Sequence, residues 1–172
     1  IPWSLVGSEM CIRDSCNSGD VEGDNKQNEL FINQGDLTFK EEAEKYGLAD
    51  PGYSTHASFF DYDKDGDLDV YLLNNSYQAI GSFDLRRNER PKRDMDGGDK
   101  LLKNQNGKFI DVSEESGIYG SVIGFGLGVT VGDVNSDGWE DIYVSNDFFE
   151  RDYLYVNNQD GTFSEILTDA IS

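Results

Sequence analysis

Two nine-residue stretches place oxygen-bearing side chains at alternate positions: Asp61-Tyr-Asp-Lys-Asp-Gly-Asp-Leu-Asp69 and Asp133-Val-Asn-Ser-Asp-Gly-Trp-Glu-Asp141. Both follow the pattern D-x-[DN]-x-D-G-x-x-D. A hard divalent cation takes six or more oxygen ligands, and this spacing offers carboxylates or amides at positions 1, 3, 5 and 9 with a backbone carbonyl at position 7. Gly66 and Gly138 allow the chain to turn around such an ion. An EF-hand starts the same way but needs a bidentate glutamate at position 12, where Leu72 and Val144 stand, each within a strand-like run. The two loops contain nine of the 34 acidic residues. Carboxylates about 4 Å apart repel by roughly 1 kcal/mol per pair in bulk water and several-fold more near protein, so a cation relieves a considerable penalty. By ligand count, the first loop, with four carboxylates, is expected to bind more tightly than the second, with three and Asn135.

The remaining composition narrows the chemistry further. In 172 residues there is one histidine, His56, and there are two cysteines, too few for a disulfide framework or a histidine-based zinc site. His56 precedes a strand beside the first loop and reads as a packed or solvent-facing side chain. Fourteen basic residues against 34 acidic ones give a formal charge of −20, which repels nucleic acid phosphates and anionic lipid headgroups. The uncharged run from Tyr119 to Gly132 is fourteen residues long with five glycines, short of the roughly 20 apolar residues of a membrane-spanning helix. Carboxylate pairs are too numerous for a glycosidase-like pair to be singled out, and the acids are better explained as ion ligands. The expectation is a binding module without catalysis of its own.

Residues 5–15 resemble the conceptual translation of a sequencing adapter over eleven consecutive positions. Residues 1–15 are therefore set aside as a non-native leader, and residues 16–172 are read as a fragment of a longer repeat protein.

The elements that must hold the acidic loops emerge from self-comparison. The second loop follows the first by 72 residues, and each is followed by a similar run, Val-Tyr-Leu-Leu-Asn74 or Ile-Tyr-Val-Ser-Asn146. Leu30-Phe-Ile-Asn33, Leu102-Lys-Asn104 and Leu154-Tyr-Val-Asn157 each precede a glycine-containing turn and then Phe39, Phe109 or Phe163. The spacings Phe39 to Gly47 and Phe109 to Gly117 are equal and read as one short helical turn. Four short strands per copy, with hairpin turns at Asn106-Gly107 and Asp160-Gly161, suggest propeller blades. The fold class is thus all-β: a partial β-propeller of about two and a half four-stranded blades, with the ion loops between first and second strands. The blade parts are residues 16–50, 51–118 and 119–172.

These residues resemble the FG-GAP or VCBS repeat family, the calcium-loop propeller blades of integrin α chains and of many bacterial surface proteins. Gly124-Phe-Gly126 supplies the Phe-Gly element and Val131-Gly-Asp133 enters the loop. The resemblance implies Ca2+ ligation by Asp133, Asn135, Asp137 and Asp141 with the Trp139 carbonyl. In the first copy it implies Asp61, Asp63, Asp65 and Asp69 with the Asp67 carbonyl. It covers about Cys16 to Phe163. The first copy departs upstream, where Gly52-Tyr-Ser-Thr-His56 stands in place of Gly124-Phe-Gly-Leu-Gly128. The N-x-x-G-x-F flavour is similar to that of bacterial proteins with an ASPIC/UnbV C-terminal region. The resemblance implies an extracellular, cell-surface or periplasmic protein that binds a protein or glycan, completed by further blades. A propeller belonging to a larger secreted enzyme and a purely structural spacer are the alternatives.

Between the second and third strands, the first copy is about nineteen residues longer than the second, an insertion over about residues 76–98. It contains Arg86, Arg87, Arg90, Lys92 and Arg93, five of the 14 basic residues. Two readings stand: an intramolecular clamp pairing with acids on neighbouring blades, or a loop contacting an anionic ligand through Arg86, Arg87, Arg90 and Arg93. Asp94-Met-Asp-Gly-Gly-Asp99 has the wrong spacing for a third ion loop. Tyr62, Tyr71, Tyr143 and Tyr155 fall at strand positions and read as blade packing.

Overall fold

The computed structural model describes residues 12–17, 26–78, 82–83, 87–148 and 150–170. These form three antiparallel sheets, each ordered as a meander. The first contains β1 (Ile12–Ser15), β2 (Glu29–Asn33) and β3 (Phe39–Glu41). The second contains β4 (Ser54–Phe60), β5 (Asp69–Asn74), β6 (Lys100–Gln105) and β7 (Lys108–Asp111). The third contains β8 (Gly126–Gly132), β9 (Asp141–Asn146), β10 (Tyr153–Asn157) and β11 (Phe163–Glu165). Two short helices, α1 (Ala43–Tyr46) and α2 (Leu167–Ala170), follow the last strands of the first and third sheets. The architecture is all-β, and its three antiparallel sheets are consistent with part of a propeller.

Sequence explains why the middle sheet is the central layer. β5 reads Asp-Val-Tyr-Leu-Leu-Asn with no polar alternation, as a strand covered on both faces requires, and all six residues are buried. Val70 and Leu72 join Leu30, Ile32, Leu102 and Phe109 in the core against the first sheet. Tyr71 and Leu73, on the opposite pleat, join Ile142, Val144, Tyr153 and Tyr155 in the core against the third. In β9 the same alternation buries Ile142 and Val144 but leaves Tyr143 exposed on the outer face.

The helical turn is an inter-sheet device. In α1, Leu48 N–H donates to Ala43 and Gly47 N–H to Glu44; in the second copy, Ile118 donates to Ser113 and Gly117 to Glu114. The first copy closes a helix and the second a hydrogen-bonded turn with the same bonds. Each turn abuts the last strand of the next sheet, as the Phe163 N–H bond to the Ser116 carbonyl shows.

Ile12–Ser15, set aside as leader, pair in register with Leu30 and its neighbours as the outer strand of the first sheet. An extended backbone can complete the edge of β2 whatever its side chains, because ladder bonds are made by the main chain. β8 begins at Gly126, within the Phe-Gly element, and its glycines pair with β9 across a register shift between Gly126 and Gly128. The divergent first copy shifts at the equivalent place, between Ser54 and His56.

Candidate metal centre

Both acidic loops lie between the first and second strands of a four-stranded sheet, β4 to β5 and β8 to β9. Their internal bonding matches position by position. Asp61 Oδ2 accepts from Gly66 N–H at 3.1 Å, and Asp133 Oδ2 from Gly138 N–H at 2.8 Å. Asp63 Oδ1 accepts from Asp65 N–H and Asp65 Oδ1 from Asp67 N–H; Asn135 and Asp137 repeat this with Asp137 and Trp139 N–H. Lys64 and Ser136 both take the left-handed conformation, with φ of 58° and 62°. In the second loop, Asp133 Oδ1 also accepts from Asp137 N–H, and Asp137 Oδ2 accepts from the Asn135 and Gln159 side-chain amides.

Asp69 and Asp141 occupy the loop bases and are 0% and 1% exposed. Asp69 accepts from Tyr62 N–H on one oxygen and from Asn104 N–H, at 2.8 Å, on the other. Asp141 does the same with Val134 and Asn157 N–H, both at 2.9 Å. The structure therefore gives position 9 a definite role, pinning the loop to the third strand of its own sheet. Asn104 and Asn157, buried beside them, donate side-chain N–H groups to Leu68 and Glu140 carbonyls. The asparagine recurring before each glycine turn marked these positions without indicating that they anchor the loops.

Electrostatics differ between the loops. Burial, together with the nearby Asp65 and Asp63 charges, pushes the Asp61 carboxyl above its ordinary range. Burial raises Asp69 further, to about 7. Asp137 is held below its usual range, chiefly by the Trp139 N–H bond. In the first loop, one carboxylate oxygen each from Asp61, Asp63 and Asp65 lies within 4.8 Å of the others. Asp61 Oδ1 is buried and has no hydrogen-bond partner within the protein. A buried anionic oxygen without a donor is costly, and a cation drawn to these three carboxylates would satisfy it. The donor set is all oxygen, which fits a hard ion such as Ca2+ better than a thiolate- or imidazole-seeking metal.

The loops also meet one another. Lys64 Nζ lies 4.6 Å from the centre of the Trp139 ring, and Asn157 Nδ2 donates to the Tyr62 carbonyl at 2.8 Å. Glu140 has a raised pKa, first from burial and then from the charge of Asp61 across the sheet boundary. Lys103, on β6, forms an ion pair with Asp63 and lies 3.7 Å from Asp65. No local pattern revealed these lysines, because each reaches its partner through tertiary structure.

The basic insertion folds back on the protein. Arg90 Nε pairs with Glu150 at 2.6 Å, and Arg93 donates to the Ile118 carbonyl at 2.8 Å. Backbone bonds from Asp94 to the Gly120 carbonyl and from Val122 to the Lys92 carbonyl reinforce the contact. Arg90 thus pairs with an acid beside the third sheet, as the clamp reading expects, while Arg93 reaches a backbone carbonyl instead. Arg87 is exposed and engaged in an interaction of its own, and Arg86 lies outside the described residues. Asp94 caps the turn at Asp96 and Gly97, while Asp99 accepts from the Tyr71 hydroxyl and from Asn74 N–H. Tyr143, Asn146 and Asp152 repeat this second arrangement in the third sheet. Tyr71 is therefore a hydrogen-bonded core element as well as a packing residue, whereas Tyr143 makes its bond on the exposed face.

No helix among the described residues is long and apolar enough to cross a membrane. No curated protein matches the chain significantly. Residues 15–72 match the FG-GAP-like repeat, and residues 125–162 match the FG-GAP repeat. The two matches each contain one acidic loop, and FG-GAP repeats are typical of extracellular or cell-surface proteins: these two segments are similar to FG-GAP repeats, in keeping with the propeller-like sheets they form.

Proposed function

We propose that this chain is a calcium-binding β-propeller repeat module, non-catalytic, serving binding or adhesion outside the cell or at its surface. The observation carrying this reading is the duplicated loop with its shared backbone hydrogen bonds, whose first copy brings three carboxylates together and leaves Asp61 Oδ1 without a donor. Asp61, Asp63 and Asp65, with the Asp67 carbonyl and Asp69, hold the ion of the first loop. Asp133, Asn135, Asp137 and Asp141, with the Trp139 carbonyl, hold that of the second. Calcium removes carboxylate repulsion and ties together the two strands flanking each loop, so its role is to stiffen the scaffold that presents a ligand surface. That ligand is a protein or glycan, and further blades complete the ring. The N-x-x-G-x-F flavour favours the VCBS and ASPIC/UnbV-associated branch of these repeats.

Thermal unfolding of the full chain in chelator and in millimolar calcium tests the stiffening role. A rise in melting temperature with calcium, absent for magnesium at equal concentration, is the expected result; equal temperatures in chelator and calcium would overturn it.

A further inference from the structure

The two loops share their main backbone-to-side-chain bonds, yet a lysine stands beside the first that the second lacks at the same register position. Lys103 pairs with Ile110 in the β6–β7 ladder, one residue before Asn104, and its ammonium reaches Asp63 and Asp65. Val156 occupies the equivalent register position in the third sheet, paired with Ser164 one residue before Asn157. An aliphatic side chain there cannot neutralise the second loop.

We infer that Lys103 is a tethered counter-ion of the first loop, occupying the carboxylates that a divalent ion must take and leaving when that ion binds. This inference rests on the calcium reading above and concerns the affinity of that same site. An ammonium has three donors and a single charge, so it orders Asp63 and Asp65 without matching a divalent ion. Calcium entry then separates Lys103 from both carboxylates and brings two like charges close together. Lys103 therefore stabilises the ion-free loop and weakens its calcium affinity. It narrows the advantage that four carboxylates would otherwise give the first loop over the second.

The test is calorimetric titration of Ca2+ into the full chain carrying Asp137→Asn, which leaves the first loop to report. Lys103→Met should bind calcium about tenfold more tightly than this parent and melt at lower temperature in chelator. Lys103→Gln is the second variant should the methionine not fold. In the converse arm, Val156→Lys in an Asp63→Asn background should weaken the second loop by about tenfold. Lys108→Met removes a like charge from the exposed end of the same hairpin and should leave both loops unchanged. Unchanged or weaker binding in folded Lys103 variants, or an equal effect from Lys108→Met, would overturn the inference while leaving the calcium reading intact. A native chain that takes up no calcium would overturn the calcium reading itself, and this inference with it.

Discussion

Gly47 stands directly against the backbone carbonyl of Phe109: a β-carbon added to it would lie 2.6 Å from that oxygen. Gly117 repeats the relationship with Phe163 at 2.8 Å, and both glycines are left-handed, with φ of 80° and 78°. The turn after one sheet thus closes on the last strand of the next. Gly117→Ala should destabilise the chain by about 2–4 kcal/mol, combining left-handed strain with displacement of β11. Gly132→Ala, where no atom lies within 4 Å, should stay within about 0.5 kcal/mol. Urea unfolding of the two variants checks the contrast.

The Arg90–Glu150 pair joins the insertion to the segment between β9 and β10. The Glu150 side chain is 0% exposed and its second oxygen has no hydrogen-bond partner within the protein. Arg90→Met strands a buried carboxylate and should cost about 3 kcal/mol, whereas the Arg90→Met/Glu150→Gln double variant should recover most of that loss. Chemical denaturation of the native chain, both single variants and the double variant measures the coupling. Single and double variants of equal stability would remove the insertion's clamping role.

Asp99 gives the chain a pH signature opposite to that of a surface ion pair. Burial raises its carboxyl to about 7 from an ordinary value of 3.8. Between about pH 4 and 7, the folded chain keeps a proton that the unfolded chain has released. Its contribution to stability is therefore greatest at the acidic end, falls as pH rises and levels off above about 7. The loss is on the order of 4 kcal/mol. Asp99→Asn keeps an acceptor for Asn74 N–H and cannot ionise, so its stability should fall less across that window in chelator. Parallel native and Asp99→Asn profiles would contradict the assignment.

The loops and their phase were readable from sequence because ion ligation needs donors at fixed local spacing, and Asp61–Asp69 and Asp133–Asp141 satisfy that locally. The three-sheet organisation was readable for a similar reason: Asn33, Asn104 and Asn157 recur before a glycine turn and a phenylalanine. Relationships that depend on which sheet faces which were not readable. Lys103 meets Asp63 across 40 residues, and Arg90 meets Glu150 across 60. The strand at Ile12–Ser15 was not read because residues 1–15 were set aside on their adapter resemblance, and backbone pairing leaves no side-chain pattern to argue against that. The common register shift at Ser54/His56 and Gly126/Gly128 was hidden by divergent residues adopting one backbone course.

Calcium stoichiometry tests the central claim most directly. Equilibrium dialysis of the full chain against calcium, with metal content measured after separation of bound from free ion, should give two ions per native chain. It should give one for Asp61→Asn/Asp63→Asn, one for Asp133→Asn/Asp137→Asn, and none when all four substitutions are combined. A native chain holding no calcium, or a fourfold variant holding as much as the native chain, would contradict the account.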